Sequence, residues 1–230
     1  MPAEYLLSSY CSTCLMTAAE VGLLGAPRAA AFKLCVDFPP QLDTAVASRQ
    51  LEFVAGRAAS QRALWGAGFR GHAQLPVSTK RRPVWPEGFV GSISHSQGVA
   101  WAAAASRTRL EAIGIDMEHL LEVEPAAEIA PSVMGRAEIE AAQRSHLGLG
   151  AYVTLLFSAK ESLYKCLNPL LDVEFGFHDI LAKPIQADTE RIELQLVTTL
   201  APNFHAGREF EVRFRIQDGM AWTAVELLPS

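Results

Sequence analysis

Two long helical patterns, each surrounded by strand-like segments, constrain the fold of this 230-residue chain more than any other feature. In residues 44–65 and again in residues 151–167, apolar side chains recur at helical spacing, and charged side chains occupy the remaining circumference. The tail alternates in strand fashion, and Asp218-Gly219 within it is typical of a two-residue hairpin turn. The sequence therefore predicts an α+β protein with two lobes of similar size.

The segments between these landmarks support further predictions. Residues 1–40 show no clear period and end in Phe38-Pro39-Pro40, which indicates a loop-like start. A polar turn is expected over residues 94–98. Gly56 inside the first helix costs about 1 kcal/mol relative to Ala, which suggests close approach of another backbone or of a ligand. The other predicted elements are a helix over residues 132–143 and strands over residues 89–93, 99–105, 112–117, 193–197, 210–216 and 221–228.

Composition excludes several classes of protein. Hydrophobic residues make up 50% of the chain, too many for a disordered chain. The formal charge is −5, from 20 Lys and Arg against 25 Asp and Glu. Because proteins that bind the phosphate backbone are normally basic, we expect no nucleic acid partner. Cys11 and Cys14 form a C-x-x-C without a second such pair, which favours reduced cysteines over a structural zinc.

The same features favour a cytoplasmic protein without a membrane span. No apolar run approaches the roughly 20 residues that a membrane helix needs. Residues 5–19 are uncharged, but no basic residue precedes them and Glu4 stands where a secretory signal would carry Lys or Arg.

Two carboxylates mark a candidate metal site. Asp116 and Glu118 stand at i and i+2 in a predicted strand, which places both on one face while Ile115 and Met117 point to the other. Nothing basic in the immediate stretch offsets their repulsion, so loss of one carboxylate should relieve it. A hard divalent cation would offset it as well. The alternative is an ordinary solvated strand face.

Glu161 in the second helix supplies a third carboxylate. It lies off the apolar stripe, with Lys165 one turn later on the same side. One alternative is an i,i+4 ion pair worth about 0.2–0.5 kcal/mol, and another is a capping box with Ser158. The functional interpretation completes an oxygen-rich magnesium site with Glu161 and leaves Lys160 and Lys165 for anionic oxygens.

A second set of residues suits phosphate groups. Ser94 and His95 follow a predicted strand in a hydroxyl-rich turn. Arg49 and Arg57 lie two helical turns apart, and Arg81-Arg82 precedes Pro83. Each is an ordinary surface residue when taken alone, whereas together they would form a positive wall in an acidic protein, as a polyphosphate ligand requires.

These residues resemble the motifs of one family. Gly114-Ile115-Asp116-Met117-Glu118, about forty residues before Phe157-Ser158-Ala159-Lys160-Glu161-Ser162-Leu163-Tyr164-Lys165, is similar to the paired signature of 4'-phosphopantetheinyl transferases. Residues 89–96 resemble the strand-Ser-His motif of that family. Ala55-Gly56-Arg57 with Arg49 resembles the arginine helix of its larger, two-lobed surfactin synthase and enterobactin synthase component D-like group. The resemblance extends over about residues 45–170. Phe157 stands where many relatives carry Trp, and Arg82 where relatives often have Lys.

The resemblance implies a pseudo-dimeric fold, two similar lobes each with a small, mainly antiparallel sheet and a long helix. It places the N-terminal lobe at residues 1–107 and the C-terminal lobe at residues 108–230, in a monomer that binds coenzyme A in the cleft between them. The implied reaction moves the phosphopantetheine arm of coenzyme A to a serine of an apo carrier protein and releases adenosine 3',5'-bisphosphate. The carrier would belong to a siderophore or other peptide, polyketide or fatty-acid synthase.

The resemblance also implies a role for each candidate residue. Asp116, Glu118 and Glu161 would hold Mg²⁺ at the coenzyme A diphosphate. Lys165 would contact the diphosphate, with Lys160 beside it, and Glu161 or a metal-bound water would take the proton of the carrier serine. The phosphate-binding and nucleotide-binding residues would be Ser94, His95, Arg49, Arg57 and Arg82.

Two other functions use part of the same evidence. A magnesium-dependent nucleotide hydrolase would explain the three carboxylates but not Ser94-His95 together with the arginines. A non-catalytic module that binds coenzyme A or a carrier protein would not explain why Asp116, Glu118, Glu161 and Lys165 are all intact.

Overall fold

The computed structural model describes residues 5–185 and 189–229, which divide into two compact units. The N-terminal unit consists of Ser8–Ile113 with the end of the chain from Leu227. The C-terminal unit consists of Gly114–Glu226 with residues 5–7. Both combine helices with an antiparallel sheet, which confirms the predicted α+β class. The lobe boundary between residues 107 and 108 stays a prediction.

The N-terminal unit is a three-stranded sheet with one long helix on it. The strands run in the order β1-β3-β2, with each neighbouring pair antiparallel. Gln97 and Gly98 join β2 to β3 and both have positive φ, as a two-residue hairpin turn requires. The elements are β1 (Cys11–Thr17), α1 (Ala18–Gly22), α2 (Pro27–Lys33), a 3₁₀ turn (Pro40–Leu42), α3 (Ala47–Gly66), β2 (Phe89–Ser96) and β3 (Val99–Ser106).

Small side chains explain how closely α3 lies on this sheet. One face of the helix carries Ala55, Ala59 and Ala63, and it shares a buried apolar cluster with the alternate alanines Ala102 and Ala104 of β3. A Cβ added at Gly56 would stand 3.3 Å from Cγ2 of Ile93. The glycine that the sequence assigned to a close approach therefore packs against a side chain of β2.

The C-terminal unit combines a five-stranded antiparallel sheet with helices. The strand order is β4-β8-β7-β6-β5, and Asp218-Gly219 forms the turn between β7 and β8, as predicted. The elements are β4 (Ala112–His119), α4 (Val123–Val133), α5 (Arg136–Arg144), α6 (Leu149–Leu171), a 3₁₀ turn (Phe177–Asp179), β5 (Ile180–Ala182), β6 (Arg191–Leu196), β7 (Glu209–Gln217) and β8 (Met220–Leu227).

Buried hydroxyl groups fix helix α6 on strand β8. The Oγ1 atom of Thr223 lies 2.9 Å from the Oγ atom of Ser158 and 2.7 Å from that of Ser162, and it donates to the carbonyl of Ser158. All three residues are fully buried. Because buried hydroxyls are costly unless they are hydrogen-bonded, this network specifies one register of the helix on the strand.

Three local predictions are wrong. Residues 1–40 are not loop-like, since they contain β1, α1 and α2. The predicted helix over residues 132–143 is two helices, because Gly135 caps α5 with a hydrogen bond from its amide to Glu138 and α4 has ended at Val133. Residues 94–98 are not one turn, since β2 continues to Ser96. Within the described part of the chain, no helix is long and apolar enough to cross a membrane.

Candidate active site

Strand β4 and helix α6 meet in direct backbone contact at Gly114. A Cβ atom added to Gly114 would overlap the carbonyl oxygen of Ser162 and would stand 2.7 Å from the amide nitrogen of Cys166. Only glycine fits this contact, although its backbone conformation is available to any residue. The contact brings the acidic end of β4 alongside the charged side of α6.

Asp116 and Lys165 form an ion pair across this contact. Nζ of Lys165 lies 2.5 Å from Oδ1 of Asp116. The Asp116 side chain is 3% exposed and that of Lys165 is 27% exposed, so the carboxylate is the desolvated partner. The sequence placed Asp116 on an open strand face without a basic neighbour. The structure buries it and supplies a cation from a helix 49 residues away.

Glu161 is half-buried next to this pair. Burial raises the pKa of its carboxyl above the ordinary value, and the negative charge of Asp116 raises it further, while the Lys165 ammonium acts in the opposite direction. Asp116, Glu161 and Lys165 therefore form one electrostatic group. Glu118, two residues after Asp116 on β4, is also half-buried.

The residue types of this group suit a hard divalent cation, whereas the positions of their side chains do not form a metal site. Carboxylate oxygens are the protein ligands of Mg²⁺, and this group offers three carboxyl groups, those of Asp116, Glu118 and Glu161. Among the residues that the structure describes, however, no three His, Cys, Asp or Glu side chains converge on one point as metal ligands. The side chains of this group would have to rotate to hold the ion.

Lys160 does not belong with Lys165, which corrects the sequence-based assignment. Its side chain is fully buried, and its ammonium donates to Glu138 and to the carbonyls of Val133 and Phe177. These acceptors use its three N–H bonds. We therefore propose no contact between its ammonium and the phosphate oxygens of coenzyme A.

A cavity of about 160 Å³ opens beside Glu161. The lining residues are Lys160, Glu161 and Tyr164 of α6, and Phe175, Gly176, Phe177 and Ile180 of the segment that follows it. The Tyr164 hydroxyl donates a short hydrogen bond to Glu174. An aromatic cavity next to a carboxylate suits an extended, mostly apolar chain with a reactive group at one end.

Arg49 and His95 are brought together in the N-terminal unit. Nη1 of Arg49 lies 2.7 Å from Nε2 of His95. Since a guanidinium can only donate, Nε2 is the acceptor in this hydrogen bond. Glu52 joins the group, because its carboxylate lies 3.7 Å from Arg49 and accepts from the amide of Gly98. The first turns of α3 and the β2–β3 turn are thus tied to each other.

Ser94 and His95 point to opposite faces of β2. His95 is exposed and contacts α3, as Ile93 does, whereas Ser94 is buried. The prediction that both residues bind phosphate assumes that they lie in a turn. On a strand, their side chains cannot be directed at one phosphate group together.

Arg57 is a buried cation of helix α3. It is 9% exposed, its guanidinium stacks over the Phe53 ring at 4.8 Å, and its Nε makes no hydrogen bond with the described residues. Burial lowers its pKa to about 10. A desolvated guanidinium is an attractive partner for an anion. Arg82 is half-buried in a turn that is closed by its own backbone hydrogen bonds to Ser78.

Sequence reasoning missed Glu138 and the segment from Phe175 to Phe177. Glu138 is the buried partner of Lys160, and the only local signal was its position three residues after Gly135, as in a helix cap. Phe177 contacts Phe157 with ring centroids 5.3 Å apart. Nothing in the sequence pairs these two aromatic residues.

Family models match most of the chain. The 4'-phosphopantetheinyl transferase N-terminal domain matches residues 38–105, and the 4'-phosphopantetheinyl transferase superfamily matches residues 112–218. The transferase Svp of Streptomyces mobaraensis is 31% identical over 191 residues, which cover 79% of this chain and 73% of that protein. The chain belongs to the 4'-phosphopantetheinyl transferase family. The resemblance that the motifs indicated is thereby confirmed.

The chain is also similar to two other curated proteins. Enterobactin synthase component D of Salmonella typhi is 37% identical over 161 residues, 70% of this chain and 65% of that protein. The 4'-phosphopantetheinyl transferase PptT of Mycobacterium tuberculosis is 30% identical over 141 residues, 61% of this chain and 60% of that protein. The aligned region thus spans somewhat less than two thirds of the length of these two proteins.

Proposed function

We propose that this transferase-family chain moves the 4'-phosphopantetheine arm of coenzyme A to a serine of an apo carrier protein. The serine Oγ would bond to the phosphorus that carries the arm, the phosphoanhydride bond would break, and adenosine 3',5'-bisphosphate would leave. The observation that supports this most is the backbone contact at Gly114. It holds Asp116 next to Glu161 and Lys165, the groups that such a reaction needs.

The acidic group of β4 and α6 would hold Mg²⁺. Asp116, Glu118 and Glu161 are the proposed ligands, and the ion would supply charge neutralisation at the diphosphate of coenzyme A. The Lys165 ammonium, now on Asp116, would turn to a diphosphate oxygen when that anion binds. The Lys165 ammonium would then stabilise the negative charge that develops on the leaving oxygen.

Glu161 is the proposed acceptor of the serine proton. Burial raises the pKa of its carboxyl above that of an exposed glutamate, which makes the carboxylate a stronger base. The cavity beside it would take the pantetheine arm, whose gem-dimethyl and amide groups suit walls formed by Tyr164 and Phe175.

The N-terminal unit would hold the nucleotide end of coenzyme A. Arg49 and His95 already contact each other, and Arg57 is a desolvated cation, so all three can donate to phosphate oxygens. Arg82 and Ser94 stay predictions by motif position. The carrier, by analogy with the enterobactin synthase relatives, would belong to a siderophore or other peptide synthetase. Polyketide and fatty-acid carriers are the alternatives. The cytoplasmic location and the monomeric state also stay predictions.

Mass spectrometry of an apo carrier protein tests the proposal. The protein, coenzyme A and Mg²⁺ are mixed with a peptidyl carrier, and with its Ser→Ala variant as the control. We expect the carrier, but not its Ser→Ala variant, to gain one phosphopantetheine group, and we expect adenosine 3',5'-bisphosphate to be released. Cleavage of coenzyme A without a carrier would instead establish the nucleotide hydrolase, and binding without either product would establish the non-catalytic module.

A further inference from the structure

A buried ion pair lies at the cavity beside Glu161, where Lys160 is one of the lining residues. Nζ of Lys160 lies 2.8 Å from Oε1 of Glu138, and the two side chains are 0% and 1% exposed. The same ammonium donates to the carbonyl of Val133 at 2.9 Å and to that of Phe177 at 3.1 Å. Lys160 therefore joins α6 to the end of α4 and to the 3₁₀ turn that follows α6.

Glu138 extends these contacts to two further segments. Its Oε2 accepts the amide of Gly135 at 2.7 Å, and its Oε1 accepts the amide of Ala182 in β5, also at 2.7 Å. Both charges are thus hydrogen-bonded on all sides by backbone groups. The pair ties α4, α5, α6, the 3₁₀ turn and β5 together at one point.

Stability alone does not account for such a pair. Desolvation of two charges offsets most of their attraction, and apolar residues of similar volume often serve as well. The pair instead fixes the positions of the segments around it, because each hydrogen bond specifies the place of one backbone group. The groups held by Lys160 and Glu138 flank Gly176, Phe177 and Ile180, which form the cavity wall facing Glu161 and Tyr164.

We propose that Lys160 is a positioning residue: through Glu138 and the carbonyl of Phe177, it fixes the cavity wall against which the pantetheine arm is held. This inference rests on the proposed function. Lys160 itself does not touch the diphosphate. Its neighbour Glu161 is the proposed acceptor of the serine proton. One motif therefore carries, at adjacent positions, the residue that takes part in the reaction and the residue that shapes the cavity.

Two variants separate the role of the pair from simple stability. Glu138→Gln keeps the shape but replaces one acceptor oxygen by an amide group. The double variant Lys160→Met, Glu138→Leu removes both charges at similar volume. The matched control is Glu140→Gln on the same helix, which removes an exposed pair with Arg136 of 3.0 Å.

The readout compares two ligands, one with the arm and one without it. We expect both variants to raise the KM and the Kd for coenzyme A by about tenfold. The Kd for adenosine 3',5'-bisphosphate, which lacks the arm, should not change, and Glu140→Gln should change neither. The Kd values come from calorimetry and therefore do not depend on turnover.

Two outcomes would overturn the inference. One is a wild-type affinity for coenzyme A in a folded variant, and the other is an equal loss for both ligands together with a lower melting temperature. If the double variant does not fold, Glu138→Gln decides. Absence of transfer by the wild type would refute the proposed function instead, and the comparison of ligand affinities would still test the positioning role.

Discussion

The backbone of Gly114 lies directly against the carbonyl oxygen of Ser162, with no space for a side chain between strand β4 and helix α6. Gly114→Ala should therefore force the two elements apart and lower the free energy of unfolding by about 3 kcal/mol or more. Urea unfolding measures this. Gly22→Ala is the control, because its Cβ would stand at an ordinary 3.7 Å from Leu51. A stable Gly114→Ala protein would show that β4 and α6 leave room for a side chain at this contact.

The pair of Asp116 and Lys165 reverses an expectation from the sequence. Loss of Asp116 should not relieve repulsion but should leave Lys165 without its 2.5 Å partner. We expect Asp116→Asn to cost about 2 kcal/mol of stability, discounted because Lys165 is partly exposed. The double variant Asp116→Asn, Lys165→Met should cost less than the sum of the single variants. Additive losses in this cycle would mean that the two side chains do not interact.

Glu161 should make stability fall as the pH rises. Its pKa in the folded protein is above the ordinary value of 4.5, so the folded state binds this proton more tightly than the unfolded state. The stabilisation is present below that value and is lost as the pH passes through the folded pKa. Glu161→Gln cannot ionise, so its advantage over the wild type should appear above pH 4.5 and persist to neutral pH. Urea unfolding along a pH series would contradict this if the difference stayed constant.

Magnesium should distinguish Glu161 from Lys165. Mg²⁺ should raise the melting temperature of the wild type, and it should do so less for Glu161→Gln, which has lost a proposed ligand. In the transfer assay Glu161→Gln should need more Mg²⁺, whereas Lys165→Met should lose turnover at an unchanged Mg²⁺ midpoint. Identical Mg²⁺ curves for Glu161→Gln and the wild type would remove Glu161 from the metal site.

Arg57 should bind the 3'-phosphate of coenzyme A but should not stabilise the folded protein. Arg57→Met should weaken binding of coenzyme A by about 1.5–3 kcal/mol more than binding of dephospho-coenzyme A. Its free energy of unfolding should not fall, since a buried cation with an unbonded Nε is removed. Arg62→Met, an exposed arginine of the same helix, should bind both ligands normally. Equal losses for the two ligands would assign Arg57 to the diphosphate or the adenine.

The sequence by itself determined the elements whose signal lies within one segment. Helices α3 and α6 follow from their apolar periods, and the β7–β8 turn follows from Asp218-Gly219, since both depend on neighbouring residues along the chain. The paired acidic and helical motifs likewise identified the family. Strand β1 was missed because it has no alternating pattern and is defined by its pairing with β3.

Only the tertiary structure decided which charges meet. Lys160 and Lys165 lie on one helix in one motif, yet the first is buried on Glu138 and the second pairs with Asp116. A period within a helix indicates which side a residue faces but not which element covers that side. The choice is made where Gly114 lets β4 reach the backbone of α6 and where α5 carries Glu138 to its other side. Desolvation makes the fully buried Lys160 depend on Glu138, because a buried ammonium without a partner is too costly to keep, whereas in the second pair the buried Asp116 depends on Lys165.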